Sequence, residues 1–456
     1  MINSKRNTLK NYNFFRIIFI ISIAAWFSLW TFNIVSNLTS ASSGPDEQLR
    51  ILVPTYIYEH HRLPTGYEPE VVHSTGNWSY AFYPQVLGAL VSAFFMSVVS
   101  IFSDTPQSLI FGARLASVLF GTLTVIVFGL IIRRLLSGHK YSEIYSYLGM
   151  VLLAFWPQFT FLSSYINNDI VALFGVSLIV YAGVLGFKDR WNIKNTIMLG
   201  LGFAVCLLGY TNSYGFILFG MLFFLITLIK QHAGTGAKRP MVLLMLVCAV
   251  PLLIAGPFFV RNAIIYSGDF LGLATFKSQT TKWELANNRS VQATYREATG
   301  GDVIDFLRDR KYWQMQQDSF IAKFGYMTIS PSFALSLVYK IVVVIGMIGF
   351  VAMLTNIFKK YRLARFRNEM LFGLCIALAS LVTLGLSAYY SLKIDTQPQG
   401  RYVIYVLVPI LIAAVFGIKF LFDKFIAARY TIVLIILIIL TYILNSILIF
   451  QKYILL

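Results

Sequence analysis

Of 456 residues, 57% are hydrophobic and only 12% charged, a balance that excludes an ordinary soluble domain and points to lipid as the surrounding solvent. A net charge of +18 would suit nucleic acid, but Lys and Arg collect at the ends of apolar runs, the positive-inside bias of membrane proteins, so the bilayer is the partner and nucleic acid is not. Cys206, Cys248 and Cys375 all sit inside apolar runs, which gives neither a disulfide framework nor a zinc-binding spacing.

Apolar runs of about 20 residues, the length that crosses a hydrocarbon core of roughly 30 Å, recur along the chain. Runs such as Tyr430 to Phe450 do not alternate in polarity, so they read as helices and not as barrel strands. The fold class is therefore an all-α polytopic membrane protein. Lys5, Arg6, Lys10 and Arg16 precede the first run, Phe14 to Val35, which is long enough to be a retained first helix with a cytoplasmic N-terminus. Further basic clusters follow at Arg133/Arg134/Lys140, Lys188/Arg190/Lys194, Lys230/Lys238/Arg239, Lys359/Lys360/Arg362/Arg365/Arg367 and Lys419/Lys424/Arg429.

Keeping every cluster cytoplasmic requires the run from Phe82 to Phe102 to lie along or dip into the outer leaflet without crossing. The remaining runs then alternate, near 144–164 and 169–187, 197–213 and 214–230, 241–260 and 333–357, 370–390 and 402–420, with a last one near 430–450. The expected architecture is about eleven transmembrane helices plus one juxtamembrane helix, forming a single transmembrane domain over 1–456. The C-terminus is then outside. Two segments, about 36–81 and 261–332, are too long and polar for simple connections, and both fall outside. Phe306 to Phe324 reads as one or two short surface helices.

The first external segment opens with Gly44-Pro45-Asp46-Glu47, two carboxylates beside the membrane surface. They fit a turn with a helix cap, or a general base that takes a proton from an attacking hydroxyl, Asp46 acting and Glu47 supporting it or binding a cation. His60, His61 and His73 follow within the same segment. Adjacent histidines cannot point the same way from a helix or a strand, so a solvated or hydrogen-bonding role is favoured over a metal. Asn168-Asp169 opens the run after the third span, where both residue types cap helices and the acid suits the positive end of the helix dipole.

Arg261 stands in Gly256-Pro257-Phe258-Phe259-Val260-Arg261-Asn262, at an external helix exit, and Gly268-Asp269 follows. It snorkels to the headgroups or grips a phosphate. Gln397-Pro398-Gln399-Gly400-Arg401-Tyr402 places Arg401 at the start of a helix, where the dipole and free N–H groups already favour an anion. Arg114 is a weaker member of the same set. Trp78, Tyr80, Trp283 and Trp313 offer faces that suit sugars and the interfacial belt alike.

In order and placement these motifs resemble the GT-C superfamily of membrane glycosyltransferases, and more closely a bacterial family of membrane proteins of unassigned role within it. The resemblance rests on Gly44-Pro45-Asp46-Glu47, Asn168-Asp169, Phe258-Phe259-Val260-Arg261-Asn262 with Gly268-Asp269, and Gln399-Gly400-Arg401-Tyr402, and the segment from Tyr83-Pro84 looks like the family's juxtamembrane helix. It implies a GT-C-like fold and an inverting transfer of one sugar from a polyprenyl-phosphate carrier to a cell-envelope glycan or polymer on the non-cytoplasmic face of the cell membrane. Asp46 would be the base, with Glu47 beside it. Arg261 and Arg401 would hold the lipid phosphate, and Asn168, Asp169, Gln399, Tyr402 and His61 would line the substrate. No cofactor is implied, though a divalent cation could be accommodated. The alternative is a transporter or flippase for a lipid-linked glycan, which needs charges near the bilayer midplane; Lys340 is the main one.

Overall fold

Every long apolar run folds as a helix, as it must where lipid offers no partner to backbone N–H and C=O groups. The computed structural model describes residues 2–38, 44–234, 236–360 and 367–454. Among these there are no strands, only two isolated antiparallel bridges, His73–Trp78 and Phe324–Ile329.

The chain starts with α1 (Ile2–Asn37), then α2 (Glu47–Arg50) and α3 (Leu52–His60) in the first loop, and α4 (Leu87–Ser100). Next come α5 (Pro106–Leu135), α6 (Ser142–Ala154), α7 (Pro157–Leu162), α8 (Asp169–Lys188), α9 (Ile193–Gly209), α10 (Tyr214–His232), α11 (Lys238–Ile254) and α12 (Gly256–Ile265). The second loop holds α13 (Leu273–Asn287), α14 (Tyr295–Thr299), α15 (Val303–Arg308) and α16 (Arg310–Ile321). The bundle closes with α17 (Phe333–Lys360), α18 (Arg367–Lys393), α19 (Leu407–Phe425) and α20 (Ala428–Tyr453).

Local chemistry explains the boundaries. Thr105 caps α5 by accepting from the Ser108 N–H, with Pro106 at the first helical position, where its missing N–H costs nothing. Pro157 parts α6 from α7, and the Thr160 hydroxyl donates to the Ala154 carbonyl at 2.8 Å across the break. Gly256-Pro257 bends α11 from α12 by 49°.

Eight of the described helices are long and apolar enough to cross a membrane, nine if the bent pair α11–α12 counts as one. The expected eleven also require α9, at 17 residues, and the broken pair α6–α7. At 14 residues, or about 21 Å, α4 is shorter than a hydrocarbon core. It lies against α5, where the Ser92 hydroxyl donates to the Ala113 carbonyl.

The bundle has two chemically different ends. At one, Arg133 pairs with Glu143, Arg134 with Asp189, and Asp423 with both Lys419 and His139. These are residues of the basic clusters; Arg362 and Arg365 of the fifth cluster lie outside the described residues. The other end of α5, a 30-residue helix roughly 45 Å long, carries Arg114, and there the polar motifs gather. Lys340 lies toward this end too, pairing with Asp318 of α16 at 3.2 Å, so it marks no polar path through the bilayer.

Candidate active site

Asp46 leaves the Gly44-Pro45 turn with φ of 61°, a left-handed conformation that Asp tolerates at a small cost and that tends to persist where the surroundings enforce it. Arg401 supplies that enforcement. Its guanidinium donates to Asp46 Oδ2 at 2.5 Å and to the Pro45 carbonyl at 3.3 Å, holding both residues of the turn. Arg401 is 1% exposed, whereas the Asp46 side chain keeps 38% of its surface accessible, so one carboxylate edge remains open to a substrate. Burial raises the Asp46 pKa, but the charges of Arg401 and Arg50 and the Arg401 hydrogen bond outweigh it, leaving the carboxyl below its ordinary range.

Glu47, next in sequence, faces the opposite way. It is fully buried and receives two bonds from Arg114, at 2.8 and 2.9 Å, plus the Ile166 N–H at 3.0 Å. Arg114 also donates to the Leu38 carbonyl. This bidentate pair ties the end of α1, the loop and the turn before α8 into one unit, and Glu47 and Arg114 are thereby committed to protein contacts.

Asp169 belongs to the same neighbourhood. It is 1% exposed; one oxygen accepts from the Tyr405 hydroxyl at 3.1 Å, and the other is buried without a hydrogen-bond partner. The neighbouring Asn168 donates to the Gln85 carbonyl just ahead of α4. The capping side chain of α8 is Asn167, which accepts from the Ile170 N–H, rather than Asn168.

Arg401 itself is placed by a 3-10 turn, Gly400–Val406, that leads into α19. Gly400 is required there because a Cβ would lie 2.1 Å from the Phe320 backbone nitrogen of α16, and its own N–H donates to the Ser319 hydroxyl at 2.6 Å. The Tyr402 hydroxyl meets Gln397, Gln399 donates to Gln397 at 3.2 Å, and Asp395 joins the cluster through Gln397. Arg401 donates to the Tyr402 hydroxyl at 3.3 Å, so Tyr402 borders Asp46 through Arg401 and Gln399 stands behind it, joined through Gln397.

Arg261 and His61 are placed elsewhere. Expected on a phosphate, the Arg261 guanidinium donates to the Pro64 carbonyl at 2.7 Å and to the Leu63 carbonyl at 3.4 Å. Asn262 donates to the Phe82 carbonyl at 2.9 Å and the Tyr266 hydroxyl to the Thr65 carbonyl at 2.6 Å. Asp269 caps α13 through Thr275. Arg261, Asn262 and Tyr266 thus clamp residues 63–82 of the first loop, and Asp269 fixes the start of the helix that follows. His61 is an exposed, left-handed C-cap of α3.

Arg50 is the residue that sequence reasoning missed. One turn after Asp46 on α2, it is 7% exposed, with its guanidinium 4.2 Å above the Tyr80 ring and 6.0 Å from that of Tyr210. No hydrogen bond reaches its Nε. Tyr210 in turn stacks against Tyr402, and Tyr402 contacts Tyr390. The signal in the sequence was the four-residue spacing, which puts Asp46 and Arg50 on one side of a helical turn. The result is a carboxylate with an accessible edge, a buried cation with spare donors and a wall of tyrosines. Among the described residues, no three His, Cys, Asp or Glu come together as a metal site would need.

No family model matches the sequence, and no curated protein matches it significantly. Solved structures do match. The oligosaccharyltransferase AglB of Archaeoglobus fulgidus, solved with an inhibitory peptide and a dolichol-phosphate, superposes with a TM-score of 0.55 at 15% identity over 95% of this chain and 56% of AglB. A second structure of the A. fulgidus oligosaccharyltransferase, with Zn and sulfate, gives 0.52 at 16% identity over 94% and 52%. The fold is GT-C-like. ArnT of Cupriavidus metallidurans, bound to undecaprenyl phosphate, gives 0.47 at 13% identity over 96% and 73%. This chain spans about half the length of the two oligosaccharyltransferase structures.

Proposed function

We propose that the chain is a membrane glycosyltransferase that moves a sugar from a polyprenyl-phosphate carrier to a cell-envelope acceptor on the non-cytoplasmic face. The observation that carries this reading is the pairing of an accessible, ionised Asp46 with the buried guanidinium of Arg50, which rests on the Tyr80 ring and whose Nε makes no hydrogen bond, at the bundle end opposite the basic clusters. A GT-C-like fold, shared with a protein solved with a dolichol-phosphate, supports it.

In this account the acceptor hydroxyl attacks the anomeric carbon and gives its proton to Asp46. The C–O bond to phosphate breaks, the phosphate leaves with the electron pair, and the anomeric configuration inverts. Arg50 meets the charge that develops on the leaving phosphate. Arg401 is a positioning residue that holds Asp46, and Arg261 acts through the loop that carries the site. Asp169, Asn168, Gln399 and Tyr402 form the surrounding wall, and His61 stands at the loop's outer rim. A divalent cation, if bound, would find its carboxylates in Asp46 and Asp169. Asp169 offers it a buried oxygen with no hydrogen-bond partner, and because no third such side chain joins them among the described residues, the rest of its shell would come from water and the substrate phosphate.

Deleting the gene is expected to remove a sugar from an envelope glycan, seen as a mass shift, and re-expression is expected to restore it. Re-expressed Asp46→Asn, present in the membrane at normal level, is expected not to. An unchanged glycan mass on deletion contradicts the proposed activity, and restoration by Asp46→Asn contradicts the base.

A further inference from the structure

The second loop ends in a feature that the transfer reaction does not use. Along α15, Val303, Ile304 and Leu307 form one apolar stripe that is 49%, 56% and 62% exposed, while Phe306 on the other side is fully buried. Beside the stripe lies a groove of about 590 Å³ whose lining includes Leu307, Arg308, Arg310 and Trp313.

The carboxylates nearby are turned away from this groove. Asp302 accepts from the Ile304 and Asp305 N–H groups, Asp305 from the Asp302 N–H, and Asp309 from the Tyr312 N–H and the Tyr295 hydroxyl. Helix capping therefore consumes the acids, and among the described residues neither Arg308 nor Arg310 has a carboxylate within ion-pair distance.

Depth identifies the partner. The Tyr312 hydroxyl meets the Ser391 hydroxyl at 2.6 Å, Gln316 donates to the Ser387 hydroxyl at 3.1 Å, and Asp318 pairs with Lys340. Ser387 and Ser391 lie in the last two turns of α18, and Lys340 lies about 10 Å along α17 from Phe333. So α16 runs beside the ends of two spans rather than above them. Only Asp309 separates α16 from α15, and the two pack through Phe306, Tyr312 and Trp313 onto Ala388 and Leu392 of α18. The α15 stripe thus lies beside the end of α18, a span whose Leu381 and Tyr389 are 61% and 59% exposed.

We propose that the α15–α16 corner is a lipid-surface anchor: Val303, Ile304 and Leu307 enter the leaflet at the site end, and Arg308 and Arg310 take phosphates of its headgroups. Short apolar stripes flanked by Arg and Trp are suited to that boundary. The anchor fixes the second loop against the membrane independently of what the site transfers.

The test uses the full chain with Cys248, the exposed native thiol, replaced by Ser, and with Val303→Cys or Leu307→Cys carrying an environment-sensitive fluorophore in lipid nanodiscs. Both labels are expected to emit blue-shifted and to be quenched by phospholipid bearing a nitroxide near its headgroup. A label at Asn287→Cys, exposed at the end of α13, is expected to stay water-like. Discs containing phosphatidylglycerol should deepen the quenching at 307, and Arg308→Gln/Arg310→Gln should abolish that increment. Water-like, unquenched emission at both positions from protein that elutes as a single species would overturn the proposal. So would a response to a soluble polyanion in place of lipid, which would assign the face to an acidic glycan.

Discussion

At the scale of single residues, two adjacent carboxylates have opposite fates, and the difference is measurable. Glu47 and Arg114 are both buried, so removing one strands the other charge away from water, a change that costs about 3–5 kcal/mol. Glu47→Ala is expected to lower the melting temperature of the purified protein sharply and to cut the yield of folded material, while Asp46→Asn, at a half-exposed carboxylate that keeps an acceptor for Arg401, lowers it less; equal melting for both variants would contradict the assignment. Asp46 answers to pH instead. Its folded pKa lies below its ordinary value, so it takes up its proton at a lower pH than a free carboxylate does. The stability it contributes is complete above the unfolded-state pKa and disappears as pH falls through the lower folded one. Activity should follow the same acid limb. Arg401→Gln removes the strongest lowering charge and leaves burial opposed only by weaker ones, so the limb in a pH–rate profile should move upward; an unmoved limb would contradict the pairing.

Among the elements, α12 and the turn after it carry the clearest lesson on what a sequence reveals. Arg261 at an external helix exit looked like a phosphate ligand, because residue type and place suit one. In the structure its partners are the Leu63 and Pro64 carbonyls almost 200 positions earlier, which no local spacing encodes. Gly272 shows the same dependence: at φ of 73° its Cα faces the Phe82 carbonyl, and a Cβ would lie 1.9 Å from that oxygen. Arg261→Ala is therefore expected to loosen residues 62–82 from the bundle. Limited proteolysis should cut this loop faster than in the wild type while Asp46 keeps its contact with Arg401; a loop equally resistant in both proteins would show that the clamp lies elsewhere.

At the scale of the whole molecule, hydropathy and charge placement were enough to read an all-helical membrane bundle with its polar motifs at one end, because lipid imposes those constraints on every span. Gly44-Pro45-Asp46-Glu47 and Gln399-Gly400-Arg401-Tyr402 were legible as motifs, yet their direct contact, across 355 positions, was not. Arg50 went unnoticed because an arginine beside a loop motif looks like surface until Tyr80 and Tyr210 are seen to bury it. Beyond the eight long helices and the bent pair α11–α12, the expected eleven spans rest on α6–α7, which Pro157 interrupts, and on α9, which has 17 residues.

The most direct test of the site is release of polyprenyl phosphate by the full chain in liposomes supplied with synthetic polyprenyl-phosphate sugars and isolated envelope acceptor, followed by mass spectrometry. The wild type is expected to release the carrier with at least one sugar, and Asp46→Asn to do so about 10²–10⁴-fold more slowly, the usual contribution of a positioned base. Equal release by the two proteins, or none by the wild type from any donor, would contradict the account.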